Sequence, residues 1–120
     1  MENAIIVASQ AGIKQIACGF IIGHANDTDT EETSNQTIDF GVKLATLGAT
    51  RLTISVLTPY LGTDVYINRN KNGIRLITED WEQYIFSRVV IETENLTKER
   101  LREINTKGVC EFLKATHDLD

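Results

Sequence analysis

The sequence predicts an α/β fold built around a parallel pair of strands. The runs Ile16-Ala17-Cys18-Gly19-Phe20-Ile21-Ile22-Gly23 and Leu52-Thr53-Ile54-Ser55-Val56-Leu57-Thr58-Pro59 are apolar and strand-like, and each passes into a polar, glycine-bearing loop. One helix-length segment separates them, and strand, helix, strand in that order favours parallel pairing through a right-handed crossover. The unbroken apolar character of the runs also predicts burial on both faces of the sheet. In such folds ligands gather at the carboxyl ends of strands, here Gly23-His24-Ala25-Asn26-Asp27-Thr28 and Thr58-Pro59-Tyr60-Leu61-Gly62-Thr63.

The elements follow in order. Asn3 to Gln10 has helical spacing, with Ile6, Val7 and Gln10 on adjacent turns, and reads as the tail of a helix that Gly12 ends before a strand from Ile13. From Glu31 or Glu32 to Leu47, apolar Ile38, Val42, Leu44 and Ala45 recur at three and four, and Gly48 stands just past the end. That helix should cover both strands. Asn68-Arg69-Asn70-Lys71-Asn72-Gly73 is the clearest loop. Ile74 to Ile77 and Val89 to Ile91 are short β-branched runs, with Thr78 placed to cap a single helical turn between them. Thr97 as N-cap, Glu99 in the first turn and apolar Leu101, Ile104, Val109, Phe112 and Leu113 mark an amphipathic helix ending near His117. The expected organisation is one domain: a β/α core over 1–66, a loose connecting segment over 67–95 and a closing helix over 96–120.

With 120 residues, 42% of them hydrophobic, the chain can bury one modest core but falls short of the ~250 residues of a full eight-stranded barrel. No apolar stretch approaches the ~20 residues of a membrane span and the start does not read as a signal peptide, so a cytoplasmic setting without a membrane partner is expected. A net charge of −5 argues against a nucleic-acid partner, which would need a basic face. Cys18 and Cys110 are expected to be free thiols, buried as small hydrophobes.

Gly19-Phe20-Ile21-Ile22-Gly23, with acidic Asp27-Thr28, then Glu32-Thr33 and Thr37-Ile38-Asp39-Phe40, resembles the fifth strand, loop and helix of the radical S-adenosylmethionine (SAM) superfamily. Leu57-Thr58-Pro59-Tyr60-Leu61-Gly62-Thr63-Asp64-Val65-Tyr66 resembles the stretch after the sixth strand of the cobalamin-associated iron–sulfur oxidoreductases in that superfamily. Glu79-Asp80-Trp81 and Glu92-Thr93-Glu94-Asn95-Leu96-Thr97 continue the pattern, so the resemblance spans nearly the whole chain. It departs at Ala25 and Asn26, where the family has proline and glycine, at Asp27 for glutamate, and at Leu61 for a second proline.

The resemblance implies a partial (β/α) TIM-like barrel with parallel strands and a C-terminal helix, the carboxyl-terminal half of such an enzyme. The superfamily holds three irons of a 4Fe-4S cluster on a C-x-x-x-C-x-x-C loop and leaves the fourth iron to bind SAM; Cys18 and Cys110, far apart, cannot make that site. In the intact enzyme, as the resemblance implies, the cluster cleaves SAM to a deoxyadenosyl radical. This half would supply adenosine contacts and substrate-side loops and would be inactive alone. By the same resemblance Gly19, Ile21 and Gly23 fall near the adenosine, Ser55 and Leu57 face the barrel interior, and Pro59, Tyr60, Gly62 and Thr63 border the substrate; His24, where the family usually has leucine, joins the substrate side by its place at the strand end. No catalytic residue and no metal ligand is assigned to this half. The implied partner is a cluster-bearing amino-terminal half, in the same chain or another, and the use of cobalamin is left open. The edges exposed by a divided barrel predict homo-oligomers.

Each of these residues also has a plainer reading. Gly19 and Gly23 suit close approach by a ligand or by a packing helix, and Ile21 is ordinary core. His24 stands at a strand end, where an imidazole titrating near ~6.5 suits proton transfer, but neither it nor His117 has a partner at metal-ligand spacing. Asp27, Asp29, Glu31 and Glu32 fit the positive start of a helix as well as a hard cation. Pro59 to Gly62 reads as a rigid turn, and Trp81 and Tyr84 as packing for the connecting segment. The competing functional class is a noncatalytic partial-barrel domain that associates with itself or with another subunit.

Overall fold

The computed structural model describes residues 1–24 and 30–118. α1 (Glu2–Gln10) leads into β1 (Ala17–Ile22), α2 (Glu31–Thr46) and β2 (Arg51–Val56). Then come α3 (Asp64–Ile67), β3 (Ile74–Leu76), a 3₁₀ turn (Trp81–Gln83), β4 (Ile91–Thr93) and the long α4 (Lys98–Asp118). β1 and β2 pair in parallel, from Ala17 opposite Arg51 to Ile22 opposite Val56, while β3 and β4 form a separate antiparallel pair. The fold is therefore mixed α/β with a small parallel sheet and a C-terminal helix. No described helix is long and apolar enough to cross a membrane.

Helix ends fall where the sequence places them. α2 starts on a capping box in which Thr30 and Thr33 bond each other's backbone N–H. It stops at Gly48, φ +120°, where the Gly48 and Ala49 N–H groups return to the carbonyls of Ala45 and Leu44. That geometry satisfies two end carbonyls and needs a residue that tolerates the left-handed region. Gly12 closes α1 in the same way, through Ser9 and Ala8. Thr97 accepts the Arg100 N–H to start α4.

The core lies between one face of the β1–β2 pair and the layer of α2 and α4. Ile22, Ile38, Ile54, Val56, Leu101 and Ile104 form its centre, and Val90, Ile91 and Tyr84 extend it under β3 and β4. A second cluster around Ile5, Ile16, Cys18, Leu44 and Phe112 ties α1 to the other end of the sheet. Gly108 makes the closest approach in the layer: a Cβ there would stand 2.3 Å from Ile54 Cδ1 and 3.0 Å from Ile38 Cγ1.

Several expectations are corrected. β1 is buried on one face only, because helices cover its even positions and leave Ala17, Gly19 and Ile21 exposed. The strand begins at Ala17; Ile13 is instead spent closing α1 through its bond to Ala8 and is 54% exposed. In α1 the buried residue is Ile5, with Val7 outside. The 67–95 segment carries a β-ladder, and its 3₁₀ turn is capped by Asp80, with Thr78 bonded to the Asp80 N–H one step earlier. Cys18 is buried as expected, but Cys110 is exposed.

Replacing Gly108 with alanine gives a test of this packing. In an open helix the change would stabilise by up to ~1 kcal/mol. Here the added methyl meets Ile54 and Ile38, and we expect a loss of about 1–3 kcal/mol in urea denaturation. A gain would place α4 farther from the sheet.

Candidate functional site

The strand positions that the helices leave uncovered form the site. Arg51 N–H donates to Ile16 O and Leu57 N–H to Ile22 O, so even residues of β1 and odd residues of β2 exchange the ladder bonds. The peptide groups of Ala17, Gly19 and Ile21 therefore point along the outer edge of β1, where no described strand pairs with them. Ala17, Gly19 and Ile21 face away from the helices, beside Arg51, Thr53 and Ser55. Ile21 is 50% exposed and stands opposite Ser55. Apart from its chain neighbours, no described residue has an atom within 4 Å of where a Gly19 Cβ would be. Gly19 and Ile21 thus share one bare surface, with half-buried Ser55 beside them.

Gly23 and Leu57 are placed differently. Gly23 is buried at φ +82°, with its Cα turned toward Val56, Leu101 and Ile91, so glycine there serves the left-handed backbone that ends β1 and the packing beneath it. Leu57 is half-buried against the larger core cluster. His24 is exposed beyond the strand. Residues 25–29, and with them Asp27 and Asp29 of the acidic run, lie outside the described residues.

The loop after β2 is built by its own hydrogen bonds. Pro59 is buried while Tyr60 and Leu61 are exposed. Thr63 N–H donates to Tyr60 O with Gly62 at φ +82°, a type II turn whose third position favours glycine. The Thr63 hydroxyl donates to Tyr60 O at 2.6 Å and accepts the Tyr66 N–H at 3.2 Å, capping α3. Its role is thereby structural. Trp81 stacks edge-on between Tyr66 and Tyr84, whose hydroxyl donates to Thr78 O, and this cluster fastens the connecting segment as expected.

Glu31, at the start of α2, is clipped to α4: Arg100 donates to both of its carboxylate oxygens and holds its carboxyl below the usual range. Arg75, bonded to Glu92 Oε2, and the Lys98 N–H, bonded to Oε1, likewise hold the Glu92 carboxyl below the usual range. Burial pushes the Cys18 thiol up, and Cys110 sits at the surface of another element. The two thiols therefore do not fit as joint ligands of an iron–sulfur cluster. Among the described residues no group of three His, Cys, Asp or Glu side chains could hold a metal ion.

Sequence reasoning missed a cavity at the outer edge of β2, lined by Arg88, Lys98 and Arg102. Lys98 and Arg102, four apart at the start of a helix, were a readable pair; Arg88 was not, because the fold of its segment was not. No protein-family model, curated protein or solved structure matches the chain.

The thiols give a direct check on which face of β1 is covered. In the native protein one cysteine, Cys110, should react rapidly with an aromatic disulfide reagent, and Cys18 should react only on unfolding. Equal rates for both would mean that the inner face of β1 is open.

Proposed function

We propose that the chain is the carboxyl-terminal part of a radical SAM iron–sulfur oxidoreductase. In this reading it contributes adenosine-side and substrate-side surfaces, and a cluster-bearing amino-terminal segment, in the same chain or another, completes the site. The observation that supports it best is the one-sidedness of the parallel sheet. A barrel sector has its helices outside and its strand residues turned to a shared interior, and here α2 and α4 lie together on one face while Gly19 and Ile21 lie bare on the other beside half-buried Ser55. Gly19 leaves backbone open to a flat ligand, Ile21 offers apolar surface and Ser55 a hydroxyl. These residues fit the adenosine portion of SAM. Gly23 and Leu57 would support them from behind, and Tyr60 would border the substrate. A cytoplasmic setting and a role without nucleic acid or membrane belong to the same reading, and it is neutral on cobalamin.

The bare outer edge of β1 supports partial-barrel architecture as well, since it is where a preceding parallel strand would pair. It equally favours a second reading, a noncatalytic partial-barrel domain that works by association. A second copy adding its β1 about a twofold axis would pair antiparallel; a completing half-barrel would pair parallel.

Two measurements test these readings. Titration of the isotopically labelled chain with SAM should shift the amides of Gly19, Ile21 and Ser55 without saturating in the micromolar range, because most of the ligand's anchors are missing. A dissociation constant of about 1 μM, or ~8 kcal/mol, would contradict the reading of an incomplete site, and no shifts at those residues at millimolar SAM would remove the adenosine assignment. Sedimentation over a concentration series should show self-association. A compact monomer throughout would mean that the chain closes its own core, and the half-barrel reading would fall.

A further inference from the structure

Four basic side chains of this acidic protein, Lys43, Arg75, Arg100 and Lys107, each pair with a glutamate. Among the basic residues without an ion pair to a described residue, Arg88, Lys98 and Arg102 stand together. All three line a single cavity of about 560 Å³ between the outer edge of β2, the segment before β4 and the first half of α4. None of them makes an ion pair with a described residue, and no carboxylate lines the cavity. The acid nearest in effect is Glu92, whose field reaches Lys98 but whose carboxylate is engaged by Arg75 and by the Lys98 N–H. Gathering like charges around one concavity is unfavourable unless an anion shares it.

The rest of the wall narrows the kind of anion. Ser87 and Thr106 line the cavity, and their hydroxyls have no hydrogen-bond partner among the described residues. Phe86, at the same wall, is 67% exposed, so its ring is open to an aromatic partner in the cavity. The volume lies in the small-molecule range. Two guanidiniums and an ammonium match the several oxygens of a phosphoryl group better than a single carboxylate, and guanidinium forks bond phosphate in a bidentate way.

We infer that this cavity binds a nucleotide-sized aromatic phosphate, with Arg88, Lys98 and Arg102 around the phosphoryl group and Phe86 against the ring. The inference does not rest on the barrel reading: SAM carries no phosphate, and its expected surface is the bare face of the sheet. The test is a titration of the full chain with AMP, alongside adenosine and inorganic phosphate, followed by amide shifts. AMP should saturate with a dissociation constant below about 1 mM and shift Phe86 to Arg88 and Lys98 to Thr106, and adenosine or phosphate alone should bind about tenfold more weakly. Arg102→Gln and Arg88→Gln, both at exposed positions, should each weaken AMP about five- to twentyfold with an unchanged circular dichroism spectrum. Independently of any variant, raising salt should weaken binding by the native chain.

Failure of AMP to saturate at about 10 mM would overturn the assignment. So would binding that is indifferent to salt and to both substitutions, or shifts confined to Gly19–Gly23 and Ser55–Leu57. Equal affinity for AMP and inorganic phosphate would remove the ring from the proposal and overturn it in the form stated.

Discussion

The close seat of α4 on β2 is the contact on which the rest of the structure depends. Gly108 lets the helix backbone reach Ile54 and Ile38 together, so α2 and α4 form one layer on the even face of the strand pair. Two parallel strands offer too little surface for a helix layer on each face at this chain length. Covering one face well leaves the other bare, and burial of Leu101, Ile104 and Ile38 is obtained at the expense of exposing Ile21. The candidate adenosine surface and the stability of the domain are thus two results of one packing choice.

Ion pairs contribute little to that packing. Glu31–Arg100 and Lys43–Glu2 join exposed side chains, where such pairs are worth a fraction of a kcal/mol. The distinction of Arg88, Lys98 and Arg102 from the other unpaired basic residues is that all three line one cavity beside β2.

Features set by local chemistry were legible in the sequence. Gly12 and Gly48 mark helix ends because only a residue at ease with positive φ completes those caps, and Thr97 marks a start because its hydroxyl takes an end N–H. The strand, helix, strand order gave the parallel pair. What could not be read depends on contacts distant in sequence. An apolar run such as 16–23 looks alike whether it is buried on one face or two, and only the number of covering helices decides. Cys110 lies on an amphipathic helix whose buried face is set by Gly108, Leu101 and Ile104, and it falls outside that face. The β-branched runs 74–77 and 89–91 were visible, but their antiparallel pairing, which shifts β4 to Ile91–Thr93, was not. Of the candidate site, Gly19, Ile21 and Ser55 came from the family resemblance together with Gly23 and Leu57, and the fold leaves Gly19 and Ile21 exposed while Gly23 and Leu57 turn to the core. The structural roles of Gly23 and Thr63 needed three-dimensional partners.

The two edges of the sheet differ in a way that orients any assembly. At β2 the Ile54 carbonyl already accepts the Asn105 amide at 2.7 Å, and Arg88, Lys98 and Arg102 surround the edge with charge. Charged side chains and occupied peptide groups are the usual means by which a strand edge refuses another strand. At β1 the outward peptide groups belong to Ala17, Gly19 and Ile21, with small or apolar side chains and no charge among them. A strand added to this sheet would therefore meet resistance at β2 and an open ladder at β1.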